Sequence, residues 1–188
     1  MQLSQTDFGG EDHTKLKELI LYISQKCQDH DKFGKIKLNK ILFYADFVSY
    51  ARRGRSITNE TYFKLPMGPA PKKMKPVADE MEKSGDMVLQ KRFSLSKPQE
   101  RWIPMREPRL EEFDGFEISL VDEVIDALKD RNADQVIELS HQFMGWQLVR
   151  EREDIPYQTV FLRDPDEVLV TEERKKRAKE LIDTYRLQ

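Results

Sequence analysis

The chain has one cysteine, Cys27, among 188 residues, so it cannot form an internal disulfide, which fits a reducing compartment. Histidine is almost as scarce, with His13, His30 and His141 alone. Cys27 and His30 are spaced to share a helix face, but a closed zinc site needs about four ligands, so no metal is expected. There is no glycine-rich loop ending in Gly-Lys-Ser/Thr, no Gly-x-Gly-x-x-Gly and no Gly-x-Ser-x-Gly elbow. These absences remove the local signatures of phosphate cradling, dinucleotide binding and the serine nucleophile. Catalytic residues and a cofactor are therefore not expected. No apolar run approaches the roughly 20 residues that a membrane helix needs, and residues 1–12 lack the basic and apolar regions of an export signal. The expectation is a cytosolic protein with no membrane contact.

What is present suits a folded domain. Hydrophobic residues make up 38% and charged residues 35%, with ten Phe, six Tyr and two Trp for a core. The net charge of −2 conceals two opposed segments. Residues 31–75 carry eleven Lys/Arg against three Asp/Glu, and residues 107–138 carry the reverse, eleven Asp/Glu against three Lys/Arg. Either the two attract each other within the fold, which is the favoured reading, or one of them steers a charged partner.

Periodicity divides the chain further. Residues 1–11 read as a loose tail. A helix is expected over 14–29, with Leu16, Leu19, Ile20, Ile23 and Cys27 on one face. A second, over 35–51, is apolar on most of its circumference and reads as the centre of the core. Lys37 and Lys40 at its start would lay their stems on apolar surface and keep their charges in water. Residues 56–65 can form a strand. Pro66 to Pro71, with three prolines and a glycine, fixes a stiff loop. A helix follows from Pro71 or Lys72 to Ser84. Met87, Leu89, Phe93 and Leu95 alternate as a strand, residues 96–99 turn, and Trp102 and Pro104 return. Residues 106–118 read as an acidic connector, with Ser119 and Asp122 opening a helix and Asn132 capping the next. Residues 154–162 read as extended, and a last helix runs from Thr171 with Ala178, Leu181, Ile182 and Tyr185 inward. The fold class is α+β, mainly helical, five or six helices around a small antiparallel sheet. The organisation is a tail (1–11), one domain (12–165) and a C-terminal helix (166–188) packed on it.

Several motifs occur in order. Lys37-Leu38-Asn39-Lys40-Ile41-Leu42-Phe43-Tyr44-Ala45 is followed by Gly54-Arg55-Ser56-Ile57-Thr58 and by Lys64-Leu65-Pro66-Met67-Gly68-Pro69-Ala70-Pro71. Leu139-Ser140-His141, Gly145-Trp146 and Ile155-Pro156-Tyr157 come later. Together, over residues 14–162, they resemble the SocA-like Panacea domain. The resemblance implies an antitoxin of a bacterial or phage toxin–antitoxin pair, which inhibits a toxin encoded by a neighbouring gene through direct protein contact. It implies a mainly helical fold with a small β element, and it brings no catalytic residues. Lys37, Leu38, Lys40, Leu42, Tyr44, Gly68, Pro69, His141 and Trp146 carry it, with structural roles expected. His141 could instead be a base or a ligand contact, but no nucleophile or second ligand accompanies it, so packing against Trp146 is favoured. Interfaces use exposed aromatics and arginines as anchors. On that ground Arg52, Arg53, Arg55, Tyr62, Lys64, Lys72 and Lys73 are the partner-binding candidates, with the acidic 107–138 segment a second surface. The alternative is a phage-related protein that binds nucleic acid through basic residues 31–75.

Overall fold

The computed structural model describes residues 12–94 and 97–162. Its elements run α1 (Thr14–Lys26), α2 (Lys35–Arg53), β1 (Tyr62–Phe63), β2 (Ala70–Pro71), α3 (Met74–Ser84), β3 (Met87–Ser94), β4 (Lys97–Pro104), α4 (Gly115–Leu128), α5 (Ala133–His141) and α6 (Met144–Leu148). Two 3-10 turns, Leu110–Glu112 and Tyr157–Phe161, complete it. The class is predominantly helical α+β, with β1–β2 and β3–β4 each forming a small antiparallel two-stranded sheet. No helix among the described residues is long and apolar enough to cross a membrane.

The core forms around α2. Leu38, Ile41, Leu42, Phe43, Ala45 and Phe47 are all buried, and no single face of the helix is left for water. Accordingly α2 touches α1, α4, α5, β2, β4 and the 157–161 turn. The rings of Phe43, Phe47, Tyr62, Phe143 and Tyr157 interlock beside it, mostly edge to face. Leu16, Leu19, Ile20, Ile23 and Cys27 form the buried stripe of α1 that their spacing predicts. Burial raises the Cys27 thiol to about 11, which keeps it neutral.

Cations close two of the helices. α1 stops at Lys26, short of the expected 29, and the Arg101 guanidinium reaches from β4 to donate to the carbonyls of Cys27 and Gln28, both at 2.8 Å. The carbonyls of Lys129 and Asp130, behind α4, accept from Lys37 Nζ (3.0 Å) and Lys32 Nζ (2.7 Å). This corrects the reading of Lys37 and Lys40: their ammonium groups lie inside the fold, not in water. Each has a backbone carbonyl waiting, Lys129 for Lys37 and Pro69 for Lys40.

Other expectations shift for identifiable reasons. Of the expected strand 56–65, only Tyr62 and Phe63 pair, with Pro71 and Ala70. The Asp46 carboxylate, on α2, captures the backbone N–H groups of Ile57 (2.7 Å) and Thr58 (2.9 Å), turning the chain there. Ser94 pairs with Lys97, so Lys97, Pro98 and Gln99, assigned to the turn, belong to β4. Pro98 and Pro104 are tolerated because each strand of a two-stranded ribbon has an open edge. α4 opens at a capping box of Asp114 and Glu117 instead of at Ser119. The box takes in the end of the segment read as a connector. Asn132 caps α5 with Gln135, as its position predicts. Residues 157–161 coil as a 3-10 turn after Pro156, drawn onto α2 by Tyr157, whose ring packs on Phe47 and whose hydroxyl donates to the Glu60 carbonyl at 2.6 Å. The expected tail (1–11) and last helix (from Thr171) lie outside the described residues.

Candidate partner-binding surface

The proline-rich segment 64–71 becomes a rigid strap because side chains from three directions seize its carbonyls. Lys40 Nζ, from α2, donates to Pro69 O at 3.0 Å. His141 Nε2, from the end of α5, lies 3.1 Å from Pro66 O. A carbonyl can only accept, so this nitrogen carries the hydrogen. Trp146 Nε1, from α6, donates to Leu65 O at 3.3 Å. Gly68 holds a left-handed backbone (φ +87), and a Cβ there would collide with Ser140 Oγ and lie 2.8 Å from Lys40 Nζ, so only glycine fits. At Gly145, whose backbone is ordinary, a Cβ would collide with Thr159 Oγ1.

A layered stack flanks the strap. The rings of His141 and Trp146 lie nearly parallel, with centroids 4.0 Å apart. Lys64 Nζ sits 4.1 Å from the Trp146 ring centroid and donates to Val149 O at 3.0 Å. His141 thus holds the strap and packs on Trp146, as the sequence favoured. Met67 at the strap's tip and Leu148 after Trp146 are 51% and 63% exposed. Lys40, by contrast, is buried, and burial lowers its ammonium from 10.5 to about 7.

The seven candidate anchors do not form one patch. Arg52, Arg53 and Arg55 cluster at the corner where α2 ends beside α4. Arg52 grips Glu123 through two bonds (2.7 and 2.8 Å), and Arg53 grips Asp114 the same way (3.1 and 2.8 Å). Arg53 also lies over the Phe116 ring, and Arg55 reaches Asp114 at 3.3 Å. Lys64 belongs to the strap stack. Lys72 pairs with Asp154 at 2.5 Å, and Lys73 is half-buried. Tyr62 faces the core, only 1% exposed, and is not presented to a partner.

The opposed charge segments therefore meet inside one molecule. Glu123 and Asp114 take the arginines, while Glu117 takes Lys15 and Asp122 takes Lys26, both from α1. Much of the basic track that a nucleic-acid backbone would follow is already matched by acids, and much of the acidic surface is matched by bases.

Three buried groups that organise the fold were missed in sequence. Asp46 accepts from Ile57 N, Thr58 N, Thr58 Oγ1 and the Tyr62 hydroxyl (2.8 Å). Burial nevertheless pushes its pKa up from the usual carboxylate value, outweighing those bonds. Glu18, wholly buried on α1, binds Arg106 through both oxygens and the backbone and side chain of Arg109. Burial opposes its ionisation, but the two arginines win and hold it at about 2. Arg101 is the third. For Asp46 and Glu18 the available signal was a lone acid among apolar helical neighbours. Among the described residues, no group of three His, Cys, Asp or Glu is arranged to hold a metal ion.

The strap, its Lys40, His141 and Trp146 anchors and the central helix are ordered motifs of the sequence brought into contact. The family model described as "Antitoxin SocA-like, Panacea domain" matches residues 38–147, more than half of the chain, and spans all of these contacts. No curated protein and no solved structure gives a significant match. The chain belongs to the SocA-like Panacea antitoxin family.

Proposed function

We propose that the protein neutralises a cognate toxin by binding it directly, and that it does so as a preformed surface without catalysing a reaction. The strap carries this reading. Three of its carbonyls are each held by a side chain from a different helix, and Gly68 locks its turn. A loop fixed in this way has little conformational entropy left to lose on association, so its exposed Met67 and the adjacent Leu148 can contribute binding energy with small ordering costs. The internal cancellation of the charged segments supports a protein partner over a nucleic acid, whose binding rests on unmatched cations.

The test is to express genes adjacent to this one in a bacterial host, alone and together with this protein. A neighbour that arrests growth alone, and is relieved with recovery of a co-purifying complex, supports the reading. Arrest without relief or without a complex contradicts it. If the purified protein instead binds random DNA or RNA with steep salt dependence, the nucleic-acid reading replaces it.

A further inference from the structure

α2 ends at Gly54, and the turn behind it is anchored from below by Asp46 through Ile57 and Thr58. Asn59, in a left-handed conformation (φ 59), finishes that turn, its N–H donating to Ser56 Oγ at 3.1 Å. The turn is one wall of a cleft of about 480 Å³. The opposite wall is the start of α4, with Asp114 and Glu117, and Tyr50 and Tyr157 line the cleft between the two. These two rings are stacked, with centroids 5.3 Å apart. Phe161, 61% exposed, extends the aromatic surface outward, 6.1 Å from Tyr50.

The cleft's own lining carries two cations, Lys15 and Arg55, and two carboxylates, Asp114 and Glu117, but Arg53 reaches one of those carboxylates from outside the lining. Lys15 is matched by both oxygens of Glu117, at 2.9 and 2.8 Å. Asp114 is already gripped by Arg53, and the same carboxylate is the ion-pair partner of Arg55, at 3.3 Å. Two guanidinium groups thus share one carboxylate. The excess positive charge falls on Arg55, which is 63% exposed at the mouth of the cleft.

We propose that this cleft is a protein-recognition site that takes a partner segment carrying an aromatic side chain next to a carboxylate. The ring lies against Tyr50 and Tyr157, and the carboxylate pairs with Arg55. One carboxylate matches the one excess charge. A nucleic-acid strand, with a charge at every nucleotide, would also bring phosphates against Asp114 and Glu117. A rigid aromatic surface beside an arginine is the composition of interface anchor points. The site rests on the antitoxin reading only in taking the toxin as its partner.

The probes are three capped peptides of otherwise equal composition, containing Asp-Phe, Lys-Phe or Asp-Ala, titrated into the full-length protein and followed by amide NMR shifts. The expected result is shifts at Tyr50, Arg55, Asn59 and Tyr157 with the Asp-Phe peptide, and binding weaker by about tenfold for the other two. Arg55→Glu, whose melting temperature is checked against the parent, should remove the preference for Asp-Phe and favour Lys-Phe. Absence of shifts at these residues up to the peptide's solubility limit, equal binding of all three peptides, or the same shifts produced by a single-stranded oligonucleotide overturns the proposal. Once a toxin is in hand, Arg55→Glu should lose growth rescue. If it rescues fully, the cleft proposal fails while the antitoxin reading stands. If the parent protein rescues no neighbour, the antitoxin reading fails and the peptide titration still decides the cleft.

Discussion

Replacing Lys40 by methionine should make the protein more stable at slightly acidic pH and remove part of its pH dependence. Lys40 Nζ is buried on α2 and donates to the carbonyl of Pro69, with no carboxylate as partner among the described residues. Burial drops it from 10.5 to about 7. The folded chain therefore binds fewer protons than the unfolded chain between those values, and stability must rise with pH across that window. At ~1.4 kcal/mol per decade the full displacement amounts to at most ~5 kcal/mol, and the gain between pH 6 and 9 is about 2 to 3 kcal/mol. Lys37, lowered to about 8 by burial, adds to the slope in the same direction, so the difference between variant and parent is the quantity to read. Lys40→Met keeps the volume and removes the charge, but leaves Pro69 O without its donor, at a cost of about 1 to 3 kcal/mol. The net expectation is stabilisation of about 2 kcal/mol at pH 6, falling to near zero at pH 9. Urea unfolding at both pH values, with the slope checked for constancy, gives the answer. Parallel pH profiles for parent and variant, or a loss of stability at pH 6, would refute the buried-ammonium account.

Gly68→Ala should cost roughly 2 to 3 kcal/mol or more, because it adds left-handed strain to a collision with Ser140; an unchanged thermal midpoint would contradict the strap geometry. Asp46→Ala leaves four donors without an acceptor and should destabilise by about 3 kcal/mol or more, and amide exchange should speed up at Ile57 and Thr58 before it does so in α1. Glu18, held near 2 by Arg106 and Arg109, contributes stability that is complete above its ordinary value of 4.5 and is lost as pH falls towards 2. Glu18→Gln should be less stable at neutral pH and flatter in an acid titration followed by circular dichroism.

The parts legible in the sequence are those governed by local periodicity. α1, α2, α3, α5 and the β3–β4 hairpin follow from the spacing of their apolar residues and from Asn132, Gly54 and Gly85 at their ends. The Asp114–Glu117 box was equally local, but it stood inside a run of acids that reads as solvated connector. The remaining misreadings arise from tertiary partners that no spacing encodes. Asp46 bends a segment of strand-like composition, and Tyr157 coils onto α2 a segment that reads as extended. Lys37 and Lys40 enter the interior because helix-end and strap carbonyls await them. The strap was recognisable from its prolines, and the pairing of His141 with Trp146 was anticipated. The sorting of the basic residues was not legible. Whether Arg52 is free or matched depends on Glu123, which lies 71 residues away.

The most direct test of the account is a titration of purified toxin with this purified protein, reading the toxin's own activity in the absence of nucleic acid other than its substrate. Direct neutralisation predicts stoichiometric loss of activity together with a stable complex on gel filtration. Rescue of growth in cells with full toxin activity in the purified mixture would contradict it, and would place the protein's action on something other than the toxin itself.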